Sequence, residues 1–140
     1  MSMDSSIGSR YRELLPTAPV PTAILELGRS LFGDALPSLL NSTRLTSIQS
    51  EHHGRVLMHA PLTDQTQWCG NLKYTENAAE LKRSRERVVL DIGAHMGDTA
   101  VFLHLLHPSL RVVSLEPMPV TYFYMRWNLH INRVPLLQES

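Results

Sequence analysis

The chain has 140 residues, which is enough for one domain with a hydrophobic core. Its 13 Lys and Arg residues balance 13 Asp and Glu residues, so charge gives no reason to expect bulk attraction to nucleic acid or anionic membranes. The single cysteine excludes an internal disulfide, and no apolar run reaches the ~20 residues of a transmembrane helix.

The first segment, residues 1–22, begins polar and then carries three prolines, Pro16, Pro19 and Pro21. This composition predicts a flexible N-terminal arm, because proline spacing of this kind favours extended backbone. The segment has no charged stretch followed by an apolar core, so it does not resemble a secretory signal. We therefore expect a cytoplasmic protein without a membrane span.

The next segment, residues 23–84, is predicted to be an extension of helices and strands ahead of the main domain. Thr22 is placed to cap a helix that runs to about Gly33. Gly28 weakens this helix because glycine has a low helix propensity. Further elements are predicted from local patterns: a short helical turn at 36–40, a strand at 55–60, a polar turn at 63–70 and a helix at 75–83.

Three histidines and the cysteine in this segment invite a metal interpretation: His52, His53, His59 and Cys69. Their spacing is not that of a zinc finger or ribbon, and the ligand set is incomplete. We therefore predict no metal site, and we expect surface or turn histidines. Cys69 has no basic neighbour in sequence that would activate it as a nucleophile.

The main domain is predicted over residues 85–140, beginning with a short strand at 88–90. This run is continuously apolar, so it is typical of a strand covered on both faces of a parallel sheet. Asp91 follows at the carboxyl end of the strand, and Gly93 and Gly97 bracket a loop. Glycine there permits positive φ and close approach of a ligand to the backbone.

A helix and a second strand follow the loop. Asp98 or Thr99 is expected to cap the helix, and Pro108 ends it. The second strand, at 112–115, ends in Glu116. A strand, helix and strand of this length form a parallel pair, whose ligands bind beyond the carboxyl ends of the strands. Another helix is predicted from Pro119 to Asn132, with an aromatic stripe that packs against the sheet.

Glu116 lies 19 positions after Gly97, a spacing at which a carboxylate can accept hydrogen bonds from the ribose hydroxyls of an adenosine. A dinucleotide fingerprint would need a third glycine, and here Asp98 stands where the pyrophosphate would lie. Asp91 can instead help to hold a cationic amino-acid group. The acid-rich loop therefore favours S-adenosylmethionine as the cofactor.

Residues 88–132 resemble the first motifs of class I S-adenosylmethionine-dependent methyltransferases, and among them the FkbM family. The similar residues are the run 88–99, the pair Glu116 and Pro117, Pro119, and the asparagines Asn128 and Asn132. The resemblance implies an α/β fold with a partial Rossmann-like β-α-β core and N-terminal helices. It also implies cofactor-binding residues: Asp91, Gly93, Ala94, His95 and Gly97 for the methionine end, with Glu116 and Pro117 for the ribose.

The same resemblance implies methyl transfer to the oxygen of an unknown acceptor, a small molecule or sugar rather than nucleic acid. The family domain continues for several strands beyond the point where this sequence ends. We therefore expect a fragment with an incomplete sheet, whose exposed face is covered by a partner chain or an oligomer. We also expect the isolated chain to bind the cofactor weakly or not at all, and no catalytic residue is predicted.

Two other functions stay open from the sequence. The chain can be a non-catalytic remnant or interaction module that keeps only the start of the fold. It can also be a fragment of a dinucleotide-binding oxidoreductase, although the missing third glycine and Asp91 count against this alternative.

Overall fold

A computed structural model describes residues 11–15, 19–50, 54–63 and 88–136 of the chain. Several predictions fall elsewhere, among them most of the polar turn at 63–70, the helix at 75–83, and the positions of His52, His53 and Cys69. These predictions lie outside the described residues.

The N-terminal part of the chain forms a three-stranded antiparallel sheet in the order β1-β2-β3. Its strands are β1 (Tyr11–Leu15), β2 (Thr43–Ser50) and β3 (Gly54–Pro61). The pairing of β2 with β3 is regular from Thr43 opposite Pro61 to Ser50 opposite Gly54. The strand predicted before Pro61 is therefore present, whereas β1 and β2 were not predicted. Tyr11–Leu15 is a paired strand inside the segment that was expected to be a flexible arm.

Two helices connect β1 to β2. Helix α1 (Thr22–Phe32) begins after Pro21, and a 3-10 turn (Gly33–Ala35) leads into the short helix α2 (Leu36–Asn41). Both helices match the sequence prediction in position. Gly28 is buried in α1, and a Cβ placed there would lie only 2.6 Å from Leu36 Cδ1 and 3.0 Å from Phe123 Cε1. Gly28 therefore allows α1 to pack closely.

The C-terminal part contains the predicted parallel β-α-β unit. Strand β4 (Val88–Ile92) pairs in parallel with β5 (Arg111–Leu115), and helix α3 (Asp98–Leu106) connects them. Helix α4 (Pro119–Ile131) follows β5, begins at the expected proline, and has Asn132 as its C-terminal cap residue. The fold is thus mixed α/β. Further strands of a doubly wound sheet are not among the described residues.

Helix α4 lies at the centre of the hydrophobic core. Its aromatic side chains Phe123, Tyr124 and Trp127 are at most 1% exposed. They pack against β3 and α1, because the Trp127 ring stacks on His59 at a centroid distance of 3.8 Å and Phe123 meets Phe32 edge-on at 5.5 Å. The aromatic stripe therefore packs on the antiparallel sheet, a neighbour that the sequence did not predict.

One face of β4 is uncovered. Val88, Leu90 and Ile92 are 51%, 58% and 74% exposed, so the prediction that this strand is covered on both faces is wrong. The exposure of these apolar side chains agrees with the expected uncovered face, whereas the incomplete sheet stays a prediction. No helix in the described ranges is long and apolar enough to cross a membrane.

Candidate cofactor site

The loop between β4 and α3 has three residues in the left-handed backbone region. Their φ angles are 74° at Gly93, 55° at His95 and 88° at Gly97. The loop is anchored to β5, because the backbone N–H groups of Gly93 and Ala94 both donate to the Leu115 carbonyl at 2.9 Å. The predicted glycine loop therefore exists, and it lies against the carboxyl end of the second strand.

The structure shows why glycine is favoured at both positions that bracket the loop. Among the described residues, no heavy atom beyond the two chain neighbours lies within 4 Å of a Cβ built at Gly93, so the backbone there is open to approach. A Cβ at Gly97 would come within 3.2 Å of Met125 Cγ, because Gly97 packs directly on α4. Gly97 is also the N-cap residue of α3, so the prediction that Asp98 or Thr99 caps this helix is wrong. The left-handed φ at that position favours glycine over either residue.

The carboxylate of Glu116 is held in a fixed position at the end of β5. Its Oε1 accepts a hydrogen bond from the backbone N–H of His95 at 2.9 Å, and its Oε2 accepts one from the N–H of Met118 at 3.2 Å. Each carboxylate oxygen has more than one acceptor site, so both can accept a further donor. Pro117 follows and is exposed, and it carries the chain from Glu116 to Met118.

Asp91 is the second acidic residue at this edge of the sheet. It is the next-to-last residue of β4, and its Oδ2 is buried with no hydrogen-bond partner in the described part of the chain. Burial raises the pKa of Asp91, and the negative charge of Asp98 raises it further. A cation beside Asp91 would offset both effects, because it favours the charged form of the carboxyl.

Asp98 occupies the start of α3. Burial raises its pKa, whereas hydrogen bonds from the backbone N–H groups of Asp98 and Thr99 and the charge of His95 lower it. Asp98 therefore places a carboxyl group in the first turn of α3, where a pyrophosphate would bind. The structure thus brings the loop, Glu116 and the end of β4 to one edge of the parallel sheet.

Asn128 is a residue whose position at this site the sequence analysis did not foresee. Its side chain is fully buried on α4 and donates from Nδ2 to the carbonyl of Met96, inside the glycine loop, at 2.9 Å. The sequence placed Asn128 only among the residues of the family resemblance. Its partners are distant in sequence, so no local pattern could reveal this contact.

His59 differs from its expectation as a surface or turn histidine. It lies in β3, is 0% exposed, and burial lowers its pKa to about 4. Neither ring nitrogen has a hydrogen-bond partner among the described residues. Within the same residues, no group of three or more His, Cys, Asp or Glu side chains is placed to hold a metal ion.

Comparison with known proteins gives one partial relationship to report. The chain is 38% identical over 61 residues to the 31-O-demethyl-FK506 methyltransferase FkbM of Streptomyces tacrolimicus. The matched stretch is 44% of this chain and 23% of the relative, so it spans about a quarter of the relative's length. No protein-family model matches the chain, and no solved structure matches it significantly. The match relates part of the chain to a methyltransferase.

Proposed function

We propose that the carboxyl edge of the parallel sheet is an S-adenosylmethionine site, and that the chain contributes it to a methyltransferase of the FkbM type. The observation that carries the proposal is the Glu116 carboxylate, fixed by two backbone N–H groups at the mouth of the glycine loop. The partial relationship to a methyltransferase supports the same function.

The residues present fit the chemistry of this cofactor. Asp91 has a buried oxygen without a partner among the described residues, and a cationic ammonium group would satisfy it. Glu116 would accept hydrogen bonds from the ribose hydroxyls. Gly93, Ala94, His95 and Gly97 would line the methionine end, where the open space at Gly93 admits a ligand close to the backbone. Pro117 would flank the ribose.

When bound, S-adenosylmethionine supplies a methyl group activated by its positively charged sulfur. The proposed contribution of this chain is to bind the cofactor and to orient its methyl group. Correct positioning of the reacting groups supplies much of the rate acceleration in a displacement of this type. The proposed acceptor is a hydroxyl of a small molecule or sugar, in keeping with the relative's description as a 31-O-demethyl-FK506 methyltransferase.

The dinucleotide alternative is less favoured by the geometry. The first turn of α3 carries the acidic residue Asp98, and a pyrophosphate there would face like charge. The interaction-module alternative makes a different prediction, since it requires no ligand at the loop.

An NMR titration of the full chain with S-adenosylhomocysteine, the demethylated cofactor, separates these functions. We expect saturable shifts of the amide signals of Gly93, His95, Gly97 and Met118, with a Kd of about 0.1–1 mM. Binding is expected to be weak because the described residues offer groups for the methionine and ribose ends alone. Larger shifts with NAD at equal concentration would support the oxidoreductase, and no shift with either ligand would support the interaction module.

A further inference from the structure

Asn128 makes three hydrogen bonds from a fully buried side chain. Its Oδ1 accepts from the backbone N–H of His59 at 2.6 Å, and its Nδ2 donates to the carbonyls of His59 and Met96, each at 2.9 Å. One side chain on α4 therefore joins two other parts of the molecule, β3 and the glycine loop. A buried amide whose oxygen and nitrogen are both bonded in this way holds its neighbours in a defined arrangement.

The loop that Asn128 holds is strained. His95 is not glycine, yet its φ is 55°, and a left-handed residue with a Cβ costs about 1–2 kcal/mol. Such conformations persist only where the surroundings determine them. His95 is fixed on one side by the bond from its N–H to Glu116. On the other side, the Met96 carbonyl is fixed by Asn128.

We propose that Asn128 is a positioning residue, which holds the glycine loop in its cofactor-binding conformation by clamping the Met96 carbonyl to β3. The antiparallel sheet then stabilises the conformation of the loop through Asn128, although none of its residues is predicted to touch the ligand. The consequence for binding rests on the proposed function, whereas the clamp itself can be tested without a ligand.

Asn132 provides a matched control, one helical turn further along. Its Nδ2 donates to the Leu57 carbonyl of β3 at 2.9 Å and to the Asn128 carbonyl of its own helix at 2.9 Å. Loss of either asparagine therefore loosens the attachment of the helix end to β3. Of the two, Asn128 is the one with a hydrogen bond to the loop.

The test compares Asn128→Ala with Asn132→Ala by hydrogen exchange of the ligand-free full chain, followed by titration with S-adenosylhomocysteine. We expect the amides of residues 93–97 to exchange about tenfold faster or more in N128A, with amides of α1 as the reference, and to be unchanged in N132A. We also expect affinity to fall about tenfold in N128A alone. Equal effects in both variants, or an unchanged loop in N128A, would overturn the proposal.

If the wild-type chain does not bind S-adenosylhomocysteine, the proposed function fails, and the exchange data still decide whether the clamp exists. If N128A does not fold, the clamp can be tested in the wild-type chain by hydrogen exchange, under conditions where exchange reports local opening. The Asn128 side-chain amide and the Gly97 N–H must then show the same opening free energy and the same dependence on denaturant. Different values would refute the clamp.

Discussion

Asp91 and His59 each have a buried side-chain atom without a hydrogen-bond partner among the described residues, and they have opposite relevance for function. Asp91 lies at the candidate site, where a ligand can offset the cost of burying its charge. His59 lies beneath the site in β3, where its ring stacks on Trp127. Burial disfavours the charged form in each case, and so raises the pKa of the acid and lowers that of the base.

The substitution Asp91→Asn tests whether the Asp91 carboxyl contributes to ligand binding and not to the stability of the fold. We expect the free energy of unfolding to rise by about 1 kcal/mol, because a poorly solvated charge next to Asp98 is removed. Binding of S-adenosylhomocysteine should be lost at the same time. Urea unfolding and the NMR titration measure the two effects, with the exposed Asp34→Asn as control. A D91N variant that still binds normally would exclude Asp91 from the site.

The substitution His59→Phe tests the burial of the neutral imidazole. The pKa of His59 is about 4 in the folded chain against an ordinary value of 6.5, so between these values the unfolded chain binds the extra proton. Stability should therefore fall as the pH is lowered through this window, by about 2 kcal/mol between pH 7 and pH 5. Acidic residues also change their charge at low pH. The relevant quantity is therefore the free energy of unfolding of the wild type minus that of H59F, measured by urea unfolding at each pH. A difference that does not change with pH would contradict the assignment.

At the scale of elements, α4 connects the two sheets. Its aromatic residues pack on β3 and α1, its Met125 packs on Gly97 of the loop, and its Asn128 bonds to both β3 and the loop. Tyr124 adds a buried hydrogen bond of 2.7 Å between its hydroxyl and that of Thr43 in β2. A change that displaces this helix should therefore reach the candidate site.

The close packing of α1 on α2 and α4 can be tested at Gly28. In Gly28→Ala the new methyl would lie 2.6 Å from Leu36 Cδ1 and 3.0 Å from Phe123 Cε1. Alanine improves helix propensity by up to about 1 kcal/mol, but overpacking a core contact costs about 1–3 kcal/mol. We expect a net loss of stability in thermal unfolding, whereas Ser30→Ala on the exposed side of the same helix should be neutral or stabilising. A stabilised G28A would show that α1 is not packed as described.

In the molecule as a whole, the parallel sheet presents exposed apolar side chains on β4 and β5. Leu90 and Ile92 on β4 and Leu115 on β5 are all exposed to about half or more. The division into segments at residues 22 and 84 stays a prediction, as does a covering partner chain. The compartment of the protein is likewise untested.

The local elements of the C-terminal part could be predicted because their signals are local. Apolar runs, two glycines and two prolines mark β4, α3, β5 and the start of α4. Strand β2 could not be predicted in this way, because its buried residues include Thr43, Thr46 and Ser47, which carry no apolar alternation. Partners far away in sequence, such as the Tyr124 hydroxyl for Thr43, make that burial tolerable.

The candidate site shows the same division. Glu116 and the loop glycines could be found from spacing, since residues after parallel strands meet at one edge. Asn128 could not be assigned a contact, because its partners His59 and Met96 are 69 and 32 positions away. The buried state of His59 also depends on the stacking of Trp127 from another element.

The central claim is that Glu116 belongs to a cofactor site, and the most direct test compares the affinity of S-adenosylhomocysteine for the wild-type chain, Glu116→Ala and Glu26→Ala. Glu26 is exposed on α1, away from the loop in sequence, so it controls for loss of a negative charge. We expect weak, saturable binding to wild type and E26A, and an affinity for E116A that is lower by at least about tenfold. Equal binding by all three proteins, or no binding to wild type at millimolar ligand, would contradict it.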